Sequence, residues 1–282
     1  MSLAEASAMN QDEQPASFKY CEAEMTQAQF HPLAGGTAAV FTTPAPDKTG
    51  GNEDAAILIP VGENACVLAV ADGVGGMRAG AQASGIAVER LRTSVSAVTG
   101  NGQSLRDAIL NGIEEANREI LELGIGASTT LAVVEIQNHE ARSYHVGDSM
   151  ILVVGQRGRL KLQTIPHSPV GYALESGYLE EDEAMHHVDR HIVSNMLGSA
   201  EMRIEIGPVL KLAAYDTLLL ASDGLADNLH VEEIVESIRK GRLPVIVRQI
   251  IARVRERMVN AQGPEPSKAD DLTFIVYRRA RN

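Results

Sequence analysis

The chain has 282 residues, 44% of them hydrophobic, which is enough to bury a core and too apolar for a disordered polymer. It carries 25 basic against 37 acidic side chains, a formal charge of −12 that repels phosphate backbones and anionic lipid and argues against a nucleic-acid or membrane partner. No apolar run approaches the roughly 18 residues of a bilayer span, the N-terminus lacks a secretory leader, and the two cysteines, Cys21 and Cys66, make no disulfide framework, so a reducing cytoplasm is expected.

Residues 1–17 lack periodicity and are expected to be a disordered tail, with one domain over 18–282. KYCEAEM reads as a first strand. After the Pro-rich stretch TTPAPDKTGGN, the apolar runs DAAILIP and ACVLAVADG flank the turn-like VGEN and read as neighbouring strands. Small and aliphatic residues over 81–95 predict a helix with a buried face. A second helix is predicted over 104–121, where Leu105, Ile109, Ile113, Ala116 and Ile120 form one stripe behind a capping Ser104. STTLAVVEIQ, RSYHVGD and SMILVVGQRGRLKLQ then predict strands in a meander with tight turns. Residues 166–190, charged and weakly patterned, are expected to be a flap-like surface excursion. MRIEIG and DTLLLASDG read as strands, 231–238 and 243–258 as helices, and LTFIVYR as a closing strand. This order does not suit a doubly wound parallel sheet, which needs a helix between successive strands. It suits an α+β sandwich of two antiparallel sheets with a helix pair outside each.

Aspartates stand next to the most apolar runs. Asp72 ends VLAVAD, Asp223 ends LLLASD, Glu53 and Asp54 precede AAILI, Asp270 and Asp271 precede LTFIVY, and Asp148 lies between SYHVG and SMILVV. A single Asp-Gly pair is an ordinary turn. Carboxylates gathered at one edge of a core, however, would repel and desolvate one another unless a cation neutralised them. Oxygen donors without a Cys or His cluster favour Mg²⁺ or Mn²⁺ over zinc, and His186, His187 and His191 match no zinc spacing. The sequence has no GxSxG, Walker A, GxGxxG or CxxC motif. Metal-assisted hydrolysis of a phosphate ester is the chemistry that remains; nucleases share it, and the net charge argues against them.

GGNEDA, VADGVGG, GASTTLA, HVGDS, ASDGLADN and DDLTFIV together resemble the motifs of the metal-dependent protein phosphatase family, type 2C, and appear in that family's order. The resemblance implies a four-layer α-β-β-α sandwich with two Mg²⁺ or Mn²⁺ ions between the sheets. It also implies a serine/threonine phosphoprotein phosphatase that hydrolyses the monoester by direct attack of a metal-bridging water or hydroxide. By position, Asp72 would bridge the ions, with the Gly73 carbonyl on one of them. Asp54, Asp223 and Asp270 would complete the set, and Glu53 would bind through water. Asp148 and Asp227 match residues that hold a third ion in bacterial relatives. Two departures stand out. Thr49 occupies the place of the family's phosphate-binding Arg, leaving Lys48, as in the bacterial and mitochondrial-type branch, or Arg78 for that role. Val74 replaces the His that many eukaryotic members carry. The resemblance implies a phosphorylated protein, the target of a Ser/Thr kinase, as substrate; alternating strands reveal no interface, and a monomer is the default expectation. The alternatives are a catalytically weak phosphoprotein-binding regulator and a phosphatase for a small phosphometabolite.

Overall fold

The alternating residues of β4 (Ala55–Val61) feed two different cores: Ile57 and Ile59 face one side, Ala56 and Leu58 the other, and all four are buried. A strand apolar on both faces needs a cover on each, and the rest of the chain supplies both. The computed structural model describes residues 16–76, 78–98, 104–260 and 265–281, together with all side chains in these ranges except those of Glu181 and Asp182. Most of the expected tail, residues 1–15, lies outside them.

The first sheet runs β1 (Phe18–Cys21), β4, β5 (Ala65–Ala71), β8 (Leu131–Gln137), β9 (Glu140–Val146) and β12 (Glu205–Ile206), with β13 (Leu210–Lys211) also paired to β9. The second runs β11 (Leu160–Gln163), β10 (Met150–Val154), β14 (Thr217–Ala221), β15 (Leu272–Arg279), β3 (Gly36–Thr43) and β2 (Gln29–Leu33). Neighbouring strands are antiparallel throughout, and a two-stranded ribbon joins β6 (Gly73–Val74) to β7 (Ser128–Thr129).

Three apolar clusters define the layers. Leu58, Leu68 and Val134 of the first sheet meet Val40, Leu220 and Ile275 of the second in the middle. Outside the first sheet, α1 (Arg78–Ser96) and α2 (Leu105–Glu122) bury Val88, Leu91, Ile109 and Ile113 against Ile57 and Val67. Outside the second, α5 (Asp223–Ala226), α6 (Val231–Ile238) and α7 (Leu243–Val259) lay Leu225, Ile234, Val247, Ile250 and Val254 against Leu219 and Phe274. Each such fully buried aliphatic side chain contributes about 1.5–3 kcal/mol. This is the expected four-layer sandwich. Ser104 caps α2 through its hydroxyl to the Asp107 N–H, 3.1 Å.

Four local expectations are corrected. β2 and β3 were not anticipated, and β3 is a central strand of the second sheet. STTLAVVEIQ divides into β7 and β8. MRIEIG keeps only β12 as a strand. The expected meander is two hairpins in different sheets: β8 and β9 belong to the first, β10 and β11 to the second. The chain crosses between sheets at residues 147–149, where Gly147 has φ +104° and a Cβ would meet Thr130 at 2.6 Å. The excursion at 166–190 contains two short helices, α3 (Pro169–Glu175) and α4 (Glu181–Met185).

Candidate active site

Strand register brings the expected carboxylates to one end of the sandwich. Ala55 pairs with Ala71, which sets Asp54 beside Asp72. Met150 and Phe274 both pair with Ala221, which brings Asp148 and Asp270 to the end where Asp223 begins α5. Local polar contacts then aim the chain. The buried Asn52 accepts from the Asp54 N–H at 2.9 Å and donates to Thr42 Oγ1 and Ala23 O. Ser222 Oγ donates to Asp54 Oδ2 at 2.8 Å. Asp72 is clamped along its backbone: its N–H donates to Thr130 Oγ1, and its carbonyl accepts from Thr129 Oγ1 and the Thr130 N–H.

These carboxylates resist ionising together. Burial pushes Asp54 and Asp72 well above the usual carboxylate range, and neighbouring acids add to it: Asp271 and Asp223 act on Asp54; Asp54, Asp223, Asp148 and Asp270 act on Asp72. Asp148 is pushed up to about 7 by burial, with Asp223 and Asp227 adding repulsion. Asp270 is raised too, by burial first and Asp223 next.

A hard divalent cation fits this donor set. Besides the mutual repulsion, Glu53 Oε1 is buried with no hydrogen-bond partner among the described residues. A Cβ on Gly80 would lie 2.4 Å from that oxygen and 2.8 Å from the Gly73 carbonyl, so the two oxygens stand next to each other over the first turn of α1. One buried acceptor without a donor, beside a backbone carbonyl, calls for a cation.

Lys48 is already engaged. Its ammonium donates to Glu53 Oε2 and to Asp271 Oδ2, both at 2.7 Å. Burial works against its charge, but the bonds to Asp271 and Glu53 outweigh that and raise its pKa. Asp271 also accepts from the Ala45 and Glu53 N–H groups, so it braces the 45–53 loop, while Asp270 faces the acidic cluster. Arg78 opens α1 with an exposed side chain and forms no ion pair among the described residues. Val74, at 37% exposure, offers no proton. An open cleft of about 310 Å³ beside Lys48 is lined by Glu22, Glu24, Asp47, Asn52 and Arg255 among others.

Two features were not foreseen. Lys268 reaches into the cluster with its ammonium 2.6 Å from Asp223, 2.7 Å from Asp227 and 3.0 Å from Asp270. On the other side, buried His145 and His167 stack at 4.4 Å, with Glu205 3.1 Å from His167 Nε2. Gly147 N–H and Asn195 Nδ2 both point at His167 Nδ1, so that nitrogen carries the lone pair and Nε2 carries the proton toward Glu205. A metal at Nε2 would need the opposite tautomer. The ring instead holds the peptide next to Asp148 against the excursion at 166–190.

The model of the family "Protein phosphatase 2C" matches residues 48–262. The serine/threonine phosphatase stp of Listeria welshimeri is 32% identical over 237 residues, covering 81% of this chain and 90% of that relative. Protein phosphatase PhpP of Streptococcus pneumoniae is 35% identical over 176 residues, 60% of this chain and 70% of that protein. The solved serine/threonine phosphatase of S. agalactiae superposes with a TM-score of 0.71 at 29% identity, covering 85% of this chain and 98% of that one. The chain therefore belongs to the protein phosphatase 2C family. Fold, family match and neighbours agree on a PPM-type protein phosphatase.

Proposed function

We propose that the chain removes phosphate from phosphoserine and phosphothreonine in proteins, using two Mg²⁺ or Mn²⁺ ions held by Asp72, the Gly73 carbonyl, Asp54, Asp223 and Asp270, with Glu53 at one remove. The observation that carries this reading is the convergence of carboxylates with raised pKa values, Asp54 buried and Asp72 half-buried, beside the orphaned Glu53 Oε1. Bound there, such ions supply Lewis acidity toward water and the phosphoryl oxygens. The chain's own residues do the rest. Asn52, Ser222 and Thr130 fix the directions of Asp54 and Asp72. Lys48 keeps one of its three N–H donors after binding Glu53 and Asp271, and the exposed guanidinium of Arg78 has no ion pair among the described residues; both are available to phosphate oxygens. The open polar cleft beside Lys48 suits a peptide flanking the phosphorylated residue better than it suits an enclosed metabolite.

We further place the protein in the cytoplasm as a monomer of one domain over 18–282, with the excursion at 166–190 acting as a flap. Two free cysteines support a reducing compartment, and among the described residues no helix is long and apolar enough to cross a membrane.

The test is hydrolysis of p-nitrophenyl phosphate and of a phosphothreonine peptide by chelator-stripped protein, titrated separately with Mn²⁺, Mg²⁺ and Zn²⁺. Restoration by Mn²⁺ or Mg²⁺, and loss of at least ~100-fold in Asp223→Asn, is expected. Metal binding without turnover of either substrate would favour a phosphoprotein-binding regulator.

A further inference from the structure

The sequence resemblance assigns Asp227 and Asp148 to a third divalent ion, and a side-chain cation of this chain lies beside Asp227. The ammonium of Lys268 already sits there, within 3.0 Å of Asp223, Asp227 and Asp270. We propose that Lys268 is a tethered cation that takes the place of a third divalent ion, so that the chain binds two metal ions and not three. This rests on the two-ion reading above.

Three features argue for a built position. The first is donor count: an ammonium has three N–H donors, and three carboxylates surround it. The second is which atoms it uses. Lys268 takes the Oδ2 atoms of Asp223, Asp227 and Asp270, which among the described residues leaves Asp223 Oδ1 without a hydrogen bond and Asp270 Oδ1 with only the Asp271 N–H. The ammonium and a pair of ions can therefore share Asp223 and Asp270 by opposite edges. The third is the backbone. Asn228, fully buried, accepts from the Lys268 N–H through Oδ1 at 3.0 Å and donates from Nδ2 to the Lys268 carbonyl at 2.9 Å. The same Nδ2 is 2.9 Å from Gly224 O in α5, and Ser267 Oγ donates to Arg257 O in α7. One side chain thus ties the lysine's main chain to the helix that begins at Asp223. A solvated loop lysine would have no such anchor.

The consequence is electrostatic. A divalent ion on Asp227 would have to take the position that the ammonium holds 2.7 Å from Asp227 Oδ2, so Asp227 is closed to it. The ammonium neutralises part of the cluster without depending on metal supply, and its charge also bears on Asp148, against the repulsion of Asp223 and Asp227.

Stoichiometry measures this directly, by equilibrium dialysis against Mn²⁺ to saturation with elemental analysis of metal per folded chain. The wild-type protein is expected to hold two ions and Lys268→Met three, with circular dichroism confirming that the variant is folded. Adding Asp227→Asn to Lys268→Met should return the count to two. Asp227→Asn alone, which keeps Lys268, should leave two ions bound and serves as the test if Lys268→Met does not fold. Three ions in the wild type, falling to two in Asp227→Asn, would overturn the proposal, as would two ions in a folded Lys268→Met. A wild-type count of one or none would instead defeat the two-ion reading and this inference with it.

Discussion

Lys48 has two candidate duties, and they separate by experiment. Its ammonium partners Asp271, whose side chain is only 4% exposed, so Lys48→Met leaves a nearly buried carboxylate with just two backbone N–H donors. That change should cost about 1–3 kcal/mol of stability in chemical denaturation. Asp271→Asn added to it should recover part of the loss, because the two residues are in contact and their effects are not additive. If Lys48 also holds phosphate, KM for an aryl phosphate rises in the single variant and stays raised in the double. If KM recovers along with stability, Lys48 is a brace only. Arg78→Ala should then raise KM while leaving stability within about 0.5 kcal/mol, as expected for an exposed side chain with no ion pair among the described residues. At this scale the aspartates were legible because Asp beside a long apolar run breaks the ordinary pattern. Lys268 was not, since a lysine in PSKADD reads as a solvated loop residue and only the Asn228 contacts reveal where its chain is held. His167 was hidden for a similar reason: its partner Gly147 is remote in sequence and donates from the backbone.

Among the elements, the contact between β6 and the first turn of α1 sets the position of the Gly73 carbonyl. A Cβ on Gly73 would fall 2.3 Å from the Gly80 carbonyl, and one on Gly80 would strike Glu53 Oε1. Gly80→Ala should therefore push α1 away from the loop that follows Asp72. The expected outcome is a stability loss of about 1–3 kcal/mol and a larger fractional loss of Mn²⁺ affinity by calorimetry. Unchanged affinity would show that Glu53 and Gly73 lie outside the ion site. The helices were the most readable elements, because stripes such as Leu105, Ile109 and Ile113 repeat with the helical period; 231–238 is met in full and 243–258 extends by one residue. β3 was missed for a compositional reason. GTAAVFTT is rich in Ala and Thr and follows HPL, whose proline reads as a breaker, yet tertiary packing makes it a central strand. Its Phe41 lies directly opposite Phe274 of β15, ring centroids 5.8 Å apart. Phe274→Ala should cost about 3–5 kcal/mol in the same denaturation assay.

Across the whole molecule, the acidic cluster joins the two sheets. Asp54 and Asp72 flank strands of the first, Asp223 and Asp270 flank strands of the second, and Asp148 sits on the crossing between them. Cations bound there would stitch both halves of the sandwich, so their binding free energy would appear as stability. The pH dependence has a definite sign. Asp54, Asp72, Asp148 and Asp270 all have folded-state pKa values above their ordinary values, with Asp148 near 7. Between the ordinary carboxylate range and those raised values the folded, metal-free protein holds protons that the unfolded chain has released. The contribution of these groups is thus fully present at low pH and is lost as pH rises through the folded pKa, at about 1.4 kcal/mol per unit for each group. Cations act in the opposite sense, since they bind the ionised carboxylates and remove the repulsion that raised the pKa values. The rise in Tm on adding Mn²⁺ to chelator-stripped protein should therefore be small near about pH 5.5 and large near about pH 8. Thermal unfolding with and without Mn²⁺ at the two pH values checks this as a difference of differences, which cancels the ion pairs elsewhere on the surface. An equal Mn²⁺ shift at both would mean that the carboxylates ionise independently of one another and that the strand ends do not form a common cation site.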